Sequence, residues 1–454
     1  MHVSLLNFFM SLILQPLRSL FSRLMLCLLL ISSMSNVLWG ALEVNVTQGM
    51  FAAHPLIVLG PPSPEFQELS AVIKKNLSTS GVFKIMYAGT TSSGYSFDKA
   101  GLSDQYNLSR AHLSLFIDVQ TKNGRCIVKC RLFDLLQLRE VYAFTLQSGV
   151  SNLRRLAHRI SDKVYQYATG MPGYFETQII YVAGMGAGKK RHFRLALMDS
   201  DGYNHRYLRT FYSLLKMPYY DIKNKRILYI RNRIRNKPQV CELDLYWNKE
   251  TPLNIAPESI FSFRPIEDTR FLAVTLYHCP RISRGIGYSS VGLYNLSTGS
   301  FRKIVRDQPY IFVSPTASAE KQMLVFNSDH EGYPQLYKTI LSGGGFLERI
   351  SQQSGRYYSP VFSKKSKKIA FMKRDSSGFN IGIMNADGSN ERTLANFYWA
   401  ESPYWTPSGS ALLFLASYTP RQKAQIYRLD INSLKIIKLT TNNEAFDPSC
   451  CALN

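Results

Sequence analysis

Long apolar runs are scarce in this sequence. Leu24–Ile31, near the start, is a continuous apolar run, and no other run approaches a membrane-spanning length. It is itself shorter than the roughly 20 residues that a transmembrane helix needs. Arg18 and Arg23 precede it and serines follow it, before a small residue at Gly40. The pattern predicts a secretory signal over residues 1–40. A retained membrane anchor and a later start codon are the alternatives.

Motifs of common enzymes are absent as well. GYSSVG at Gly287–Gly292 comes nearest to a GxSxG nucleophile elbow but has the wrong spacing. GMGAGKKR at Gly184–Arg191 resembles a phosphate-binding loop, but Ala183 stands where that loop needs glycine, and Lys190 where it needs serine or threonine. The alternating residues that follow predict a strand, so we interpret this stretch as a turn.

Metal-binding patterns are equally few. No CxxC pair and no HxH cluster occurs, and DSDG at Asp199–Gly202 lacks the later ligands of a calcium loop, so it is interpreted as a turn. His278 and His330 fall in predicted loops without an identifiable partner. The sequence therefore predicts no catalytic residue, no metal site and no cofactor. Paired carboxylates need geometry and are left open.

Cysteine is infrequent, with seven residues, of which Cys27 lies in the predicted signal. An exported chain can oxidise the other six. Cys126 and Cys130 are four apart on one predicted strand, which places them on the same face at roughly 13 Å, too far for a direct bridge. Cys450 and Cys451 are adjacent near the C-terminus. These spacings leave the redox state of the cysteines open.

Acidic residues are sparse. There are 31 of them against 54 lysines and arginines, a formal charge of +23 that falls to +21 without residues 1–40. Such an excess can indicate a nucleic-acid partner or an anionic surface. The basic residues are scattered, however, and the densest run, Lys223–Lys237, interrupts a β pattern. We therefore predict that they face solvent and that nucleic acid is not a partner.

The sequence is rich in one repeated pattern. IGIMNADGSNERTL at Ile381–Leu394 and LALMDSDGYNHRYL at Leu195–Leu208 each predict two short strands joined by an Asp-Gly turn. Three further segments share a Ser-Pro dipeptide, a polar turn and an apolar strand. They are SPVFSKKSKKIAF (from Ser359), SPYWTPSGSALLF (from Ser402) and SPTASAEKQMLVF (from Ser314). The hairpins therefore belong to a longer repeating unit.

The repeating units are evenly spaced. Their anchor residues are Pro218, Phe263, Pro315, Pro360, Pro403 and Pro448. The anchors are separated by 45, 52, 45, 43 and 45 residues, and in the first five units a second strand starts eight residues beyond the anchor. Four strands in about 45 residues are typical of a β-propeller blade, because one such sheet cannot bury both its faces alone.

The repeats predict six blades. Too little sequence follows Pro448 to build a seventh, so we predict that SCCALN adds an inner or closing strand to the blade begun by Thr177–Gly184 and closes the ring. Residues 173–454 are therefore predicted to form an all-β six-bladed β-propeller. An open β-solenoid or a sandwich array is the alternative.

Residues 41–172 predict a separate α/β domain. SPEFQELSAVIKKNLSTSG at Ser63–Gly81 has the serine cap, first-turn proline and terminal glycine of a helix. SNLRRLAHRISDKVYQYAT at Ser151–Thr169 predicts a second helix, and short β-type runs, beginning with EVNV at Glu43–Val46, predict strands. The two domains are joined through GMPGYFE.

An export signal, an α/β domain and propeller repeats of this kind resemble the TolB family, the periplasmic component of the Tol-Pal system. The resemblance is carried by SPYWTPSG (Ser402–Gly409), KKIAFMKRDSSG (Lys367–Gly378), IMNADGSNERTL (Ile383–Leu394), LMDSDGYN (Leu197–Asn204) and FETQIIYV (Phe175–Val182). It covers almost the whole predicted mature chain. The aspartate that is usual in the blade turn is absent from Ser363–Ser366 and from Thr406–Gly409.

The resemblance implies a periplasmic, monomeric scaffold that is not an enzyme and that supports envelope integrity, protein transport and cell division. Its propeller is expected to bind the outer-membrane lipoprotein Pal, and its mature N-terminal segment, Ala41–Gly49, a TolA-like inner-membrane protein. The expected contact residues there are Leu42, Glu43, Val44, Asn45 and Val46. Their alternation suits addition as a strand to a partner or to the chain's own sheet. An ordinary first strand is the alternative.

On the propeller, we expect partner contacts at the end where loops lead into the inner strands. Tyrosine, tryptophan and arginine are enriched at binding hot spots. The candidate rim residues are Tyr310, Phe312, Arg356, Tyr357, Tyr358, Tyr398, Trp399 and Glu401. The alternative is that some of these aromatic residues pack between blades.

Two enzymatic hypotheses compete with the scaffold. A propeller that gates a serine peptidase would need a hydrolase domain, for which we find no sequence. A propeller lyase would need a cluster of histidine or acidic ligands in the central channel, and none is evident.

Overall fold

The computed structural model describes residues 52–87, 98–232, 237–255, 259–266, 269–278, 287–305, 310–363, 365–441 and 443–453. The predicted signal over 1–40 and the predicted contact segment Ala41–Gly49 lie outside these residues. Val46–Asn454 forms one compact unit, within which an α/β part precedes a six-bladed propeller.

A five-stranded mixed sheet forms the α/β part. Its strands are β1 (His54–Leu59), β2 (Phe83–Ile85), β3 (Leu113–Lys122), β4 (Arg125–Asp134) and β5 (Arg139–Gly149). Their order is β2-β1-β3-β4-β5; β1 runs parallel to β2 and to β3, and the remaining pairs are antiparallel. Asn123 and Gly124 both have positive φ, 52° and 72°, which a tight two-residue hairpin turn requires. The predicted turn between β3 and β4 is present.

Helices cover both faces of this sheet. They are α1 (Pro64–Ser80), α2 (Lys99–Ser109) and α3 (Leu153–Thr169). Ser63 caps α1 by accepting the Phe66 N–H, and Gly81 ends it with φ of 74°, as the sequence predicts. Helices α1 and α3 share one apolar core, while Leu102 of α2 packs on the opposite face. The sequence analysis missed α2, because Leu102 is its one apolar side chain that the structure describes as buried.

Six four-stranded sheets form the propeller. From the inner to the outer strand, the first three are blade 1 (Leu214–Asp221, Arg226–Asn232, Gln239–Asp244, Lys249–Pro252), blade 2 (Ser259–Pro265, Phe271–His278, Tyr288–Asn295, Phe301–Val305) and blade 3 (Phe312–Ser318, Met323–Ser328, Gln335–Ile340, Glu348–Arg349). The others are blade 4 (Arg356–Phe362, Lys368–Asp375, Gly378–Asn385, Arg392–Phe397), blade 5 (Trp399–Trp405, Ala411–Ser417, Gln425–Asp430, Ile436–Lys438) and blade 6 (Glu444–Ala452, Thr177–Met185, His192–Asp199, Arg206–Phe211).

Blade 6 closes the ring as predicted. Its inner strand, Glu444–Ala452, comes from the C-terminal end of the chain and pairs antiparallel with Thr177–Met185. The second strands of blades 1 to 5 start at the predicted residues, Arg226, Phe271, Met323, Lys368 and Ala411. The outer strand of blade 1 was missed, because its four residues, Lys249–Pro252, carry no apolar side chain apart from proline.

Apolar clusters lie between each pair of neighbouring blades. Phe414 of blade 5, for example, packs with Ile381 of blade 4, and Tyr229 of blade 1 with Leu195 of blade 6. Equivalent clusters fill the other four junctions. Burial on both faces explains why the second strand of blade 5, ALLFLAS, is buried at every position.

The described cysteines are free thiols in the core. Cys126 and Cys130 lie on the same face of β4, as predicted from their spacing, and both are buried. Burial raises the pKa of each of these two thiols. Both therefore favour the protonated form, which is a poor nucleophile and metal ligand.

The α/β part packs on turns of blades 5 and 6. Arg428 of blade 5 is buried there; it donates to the Ser200 carbonyl at 2.8 Å and to Thr79 Oγ1 of α1 at 3.1 Å. Asp430 accepts the hydroxyl groups of Tyr165 in α3 and of Tyr174 in the linker, at 2.8 and 3.0 Å. Polar groups buried with partners of this kind fix two parts of a chain in one arrangement.

Candidate partner-binding face and central channel

Each inner strand of the propeller contains a β-bulge. In five blades the bulge is a dipeptide ending in proline, and the residue before proline has positive φ. These residues are Met217, Ser314, Ser359, Ser402 and Asp447. Proline has no N–H to give to a strand ladder, and a bulge is where the ladder is already interrupted. The repeated anchors therefore mark the middle of each inner strand and not its start.

The bulges are tied to one another around the channel. Asp447 of blade 6 accepts the Met217 N–H of blade 1 at 3.0 Å and the Ser402 hydroxyl of blade 5 at 2.9 Å. Ser262 Oγ of blade 2 accepts the Ser314 N–H of blade 3 at 3.2 Å. Side-chain bonds also link blade 3 to blade 4 and blade 4 to blade 5. These bonds connect the inner strands from blade 2 through blades 3, 4, 5 and 6 to blade 1 along the channel wall.

The two ends of the propeller differ. At the end that we call the proximal face lie the turns after the first and third strands of each blade, and the α/β part packs there on blades 5 and 6 through contacts such as Ser410 Oγ to the Pro172 carbonyl. At the opposite end, the distal face, loops lead into the inner strands. None of the α/β contacts among the described residues reaches the distal face.

The structure corrects the placement of the candidate rim residues. Six of the eight lie within inner strands instead of in the preceding loops, because those strands begin before the proline. The six are Phe312, Arg356, Tyr357, Tyr358, Trp399 and Glu401. Phe312 and Tyr357 are fully buried, and the Tyr357 hydroxyl donates to Glu391 at 2.6 Å. Phe312 belongs to the apolar cluster between blades 2 and 3, and Tyr357 to the one between blades 3 and 4, so neither can contact a partner at the surface.

The other candidates remain accessible on the distal face. Arg356 and Tyr398 are exposed, Tyr398 at 55%, whereas Tyr310, Tyr358, Trp399 and Glu401 are partly buried. Phe261 of blade 2, 53% exposed, lies at the bulge of the neighbouring inner strand. Sequence reasoning missed Phe261, because blade 2 has phenylalanine at its anchor and lacks the dipeptide that marks the other blades.

Glu401 on this face has a raised pKa. Burial, followed by the negative charge of Asp447, raises the pKa of Glu401 to about 7, and Lys216 opposes the shift. Glu401 therefore exchanges a proton near neutral pH. Its raised pKa by itself indicates no reaction, because neighbouring charges in structural networks shift pKa values in the same way.

A cluster of possible metal ligands lies where α3 meets blade 6. His158, Asp199 and Asp201 are buried, and their ligand atoms lie within 4.8 Å of one another. Arg154, however, forms ion pairs with both aspartates, and Asn76 donates to His158 Nδ1 at 2.9 Å. Burial alone would raise the pKa of Asp201, but the hydrogen bond and charge of Arg154 lower it. The guanidinium already supplies the positive charge that a metal ion would bring, so we assign the cluster to the junction.

Comparison with known proteins decides the family. The family model of the TolB beta propeller domain matches residues 165–452. A Tol-Pal system protein TolB of Gluconobacter oxydans (strain 621H) is 32% identical over 377 residues, which cover 83% of this chain and 80% of the relative. The chain belongs to the TolB family. A second relative with the same name, from Rickettsia bellii (strain OSU 85-389), is 30% identical over 445 residues, or 93% of this chain and 97% of the relative.

The fold agrees with a solved member of the family. The crystal structure of TolB from Acinetobacter baumannii superposes with a TM-score of 0.74 and covers 89% of this chain and 98% of that chain, at 18% sequence identity. The similarity extends over both the α/β part and the propeller. Within the described residues, no helix combines the length and the apolar character that crossing a membrane requires.

Proposed function

We propose that the protein is a non-catalytic periplasmic scaffold of the Tol-Pal system. Its propeller binds a Pal-like outer-membrane lipoprotein, and residues 41–49 bind a TolA-like inner-membrane protein. In this role it supports envelope integrity and cell division. Membership of the TolB family is the observation that carries the proposal, because the relatives that match most of the chain are Tol-Pal system proteins.

The distal face is our proposed site for the lipoprotein. It carries exposed aromatic and arginine side chains, Arg356, Tyr398 and Phe261, around the channel opening. Large aromatic groups and arginine dominate the energetics of protein interfaces. The α/β part occupies the other end at blades 5 and 6, so the distal face stays accessible when both parts are folded. The proposal includes the predicted domain limits, which are residues 41–172 for the α/β domain and residues 173–454 for the propeller.

Replacing Tyr398 by alanine is expected to weaken lipoprotein binding at least about tenfold, because hot-spot truncations cost about 2 kcal/mol or more. Isothermal titration calorimetry with the periplasmic part of the organism's own Pal-like lipoprotein measures the effect. Tyr246→Ala is the matched control, since Tyr246 is 75% exposed in a turn on the proximal face. Equal losses in both variants would contradict the assignment to the distal face. No binding by the unaltered protein would contradict the lipoprotein as partner.

Deletion of Ala41–Gly49 is expected to abolish binding of a TolA-like protein and to leave lipoprotein binding within about twofold. The two sites are proposed on separate parts of the chain, so that loss of one leaves the other intact. Pull-down of each partner from envelope extract with the mature protein provides the measurement, and thermal unfolding confirms that the fold persists. Loss of both interactions by a folded variant would contradict this division of roles.

A further inference from the structure

The central channel widens on the proximal side of the bulge ring. The ring itself encloses a narrow space of about 50 Å³, lined by the bulge residues. Next to it is a cavity of about 160 Å³, whose wall includes Tyr219, Arg264, Thr316 and Tyr404. A mouth of about 960 Å³ shares Tyr219 and Tyr404 with this cavity and extends to the proximal face. The channel is therefore a funnel that narrows towards the bulge ring.

Arg264 occupies the cavity, and none of the described acidic residues pairs with it. Its guanidinium stacks on the ring of Tyr404, 5.3 Å from the centroid, and no hydrogen bond or ion pair joins it to any other described residue. Asp447 lies nearby, but its two carboxylate oxygens are engaged by Met217 and Ser402. Burial lowers the pKa of Arg264, an effect that Tyr404 and Asp447 oppose. A cation in this position is unfavourable until an anion reaches it.

Two other partly buried arginines of the propeller have acidic acceptors. Arg226 forms ion pairs with Asp221 and Glu242 at 3.0 and 2.7 Å, and Arg231 reaches Glu250 at 2.6 Å. Arg264 differs from these two arginines because no acidic side chain among the described residues pairs with it, and in this it resembles Arg194 of blade 6, which stacks on Tyr207. A ligand from solution can supply the missing counter-charge.

The mouth favours the approach of anions. Lys223, Arg270 and Lys365 are among the described residues that line it, and the one acidic residue in that described set, Asp221, pairs with Arg226. Glu320, in the cavity wall, pairs with Lys367 at 3.6 Å. Clefts lined by one sign of charge concentrate ligands of the opposite sign.

We propose that Arg264 is the centre of an anion-binding pocket that takes one carboxylate or phosphate group from the proximal face. The guanidinium presents a planar fork that matches the paired oxygens of either group. The cavity is smaller than the roughly 300–1,000 Å³ of typical ligand pockets, so it admits the anionic group of a ligand and excludes a whole nucleotide. This site lies at the opposite end of the channel from the proposed lipoprotein site and is independent of it.

The test is isothermal titration calorimetry of the purified protein with inorganic phosphate and, separately, with succinate, at constant ionic strength. We expect saturable one-to-one binding of at least one anion, and the preferred one distinguishes phosphate from carboxylate. Arg264→Gln should weaken that binding at least about tenfold, because a hydrogen bond to a charged group is lost. Arg270→Gln, at the mouth, should change it less than about threefold. Absence of saturable binding of both anions, or equal affinity in Arg264→Gln, would overturn the proposal.

Thermal unfolding gives a second readout that does not need a titration. The bound anion should raise the melting temperature of the unaltered protein and leave that of Arg264→Gln unchanged. Without anion, Arg264→Gln should be at least as stable as the unaltered protein, since it removes a partly buried charge that has no ion-pair partner among the described residues. If Arg264→Gln does not fold, Arg264→Lys replaces it in both measurements. That variant keeps the positive charge but loses the planar guanidinium with its paired N–H groups. Undiminished anion affinity in Arg264→Lys would contradict a bidentate contact.

Discussion

Truncation of the chain after Thr441 is expected to abolish the cooperative unfolding of the propeller. The deletion removes Glu444–Ala452, the inner strand of blade 6, and leaves Thr177–Met185 as an unpaired strand edge. Ala445 and Cys450 also leave the core between blades 5 and 6. Lost pairing and lost burial together exceed the roughly 5–15 kcal/mol by which a typical domain is stable. The exposed edge should then promote aggregation.

Circular dichroism, urea unfolding and size-exclusion chromatography measure this effect. The matched control is truncation after Ala452, which keeps every residue of the closing strand. It removes the Leu453 N–H, which donates to the Glu176 carbonyl, and the Leu453 carbonyl, which accepts from Arg155. We expect the control to lower the melting temperature by only a few degrees. A cooperative transition of unchanged midpoint in the longer truncation would show that closure does not hold the ring together.

Replacement of Asp430 by alanine is expected to lower the free energy of unfolding by about 4 kcal/mol. The carboxylate accepts hydrogen bonds both within its own turn and from the α/β part. One oxygen accepts the N–H groups of Asn432 and Ser433, both at 2.9 Å, and so shapes the turn after the third strand. The other accepts the hydroxyl groups of Tyr165 and Tyr174 from the α/β side. Alanine leaves these buried donors without their acceptor and Arg428 without a nearby negative charge.

Blade 1 offers a matched control for the turn alone. Asp244 is at the equivalent place and accepts the N–H groups of Tyr246 and Trp247, at 2.8 and 2.9 Å, in the same kind of turn. It makes no contact with the described residues of the α/β part. Asp244→Ala should therefore cost about 1 kcal/mol. Urea unfolding at pH 7 measures both variants, and their difference isolates the junction. Equal losses would mean that the junction contributes nothing through Asp430.

The repeat was predictable because its signals are local. Asp-Gly and Asn-Gly turns fix hairpins within a few residues, and alternation fixes which residues face inwards, so second-strand starts such as Lys368 and Ala411 followed from spacing alone. The same local logic failed at the inner strands. Proline usually ends or precedes a strand. Here it lies at a bulge in the middle of the inner strand, where the missing N–H is tolerated because the pairing with the next strand is already interrupted. Phe312 and Tyr357 were consequently placed in surface loops.

The cavity around Arg264 was outside the reach of sequence reasoning. Its wall combines residues from blades 1 to 5, which are up to 186 positions apart along the chain, from Tyr219 to Trp405. Nothing in the segment SFRPIE distinguishes a channel arginine from the many exposed ones. Its significance depends on the nearby acids Asp447 and Glu320 being engaged by other groups, and the chain order gives no such information.

The sequence by itself determined the family, the six blades, the closing strand and both principal helices of the α/β part, because turn chemistry and periodic burial act over short stretches. Tertiary structure alone decided which aromatic residues are core, how Arg428 and Asp430 join the two parts, and which arginine faces the channel without an ion pair to the described residues. These depend on which distant segments come together. Burial and pairing are properties of that assembled environment, whereas the local pattern fixes only the element that each residue belongs to.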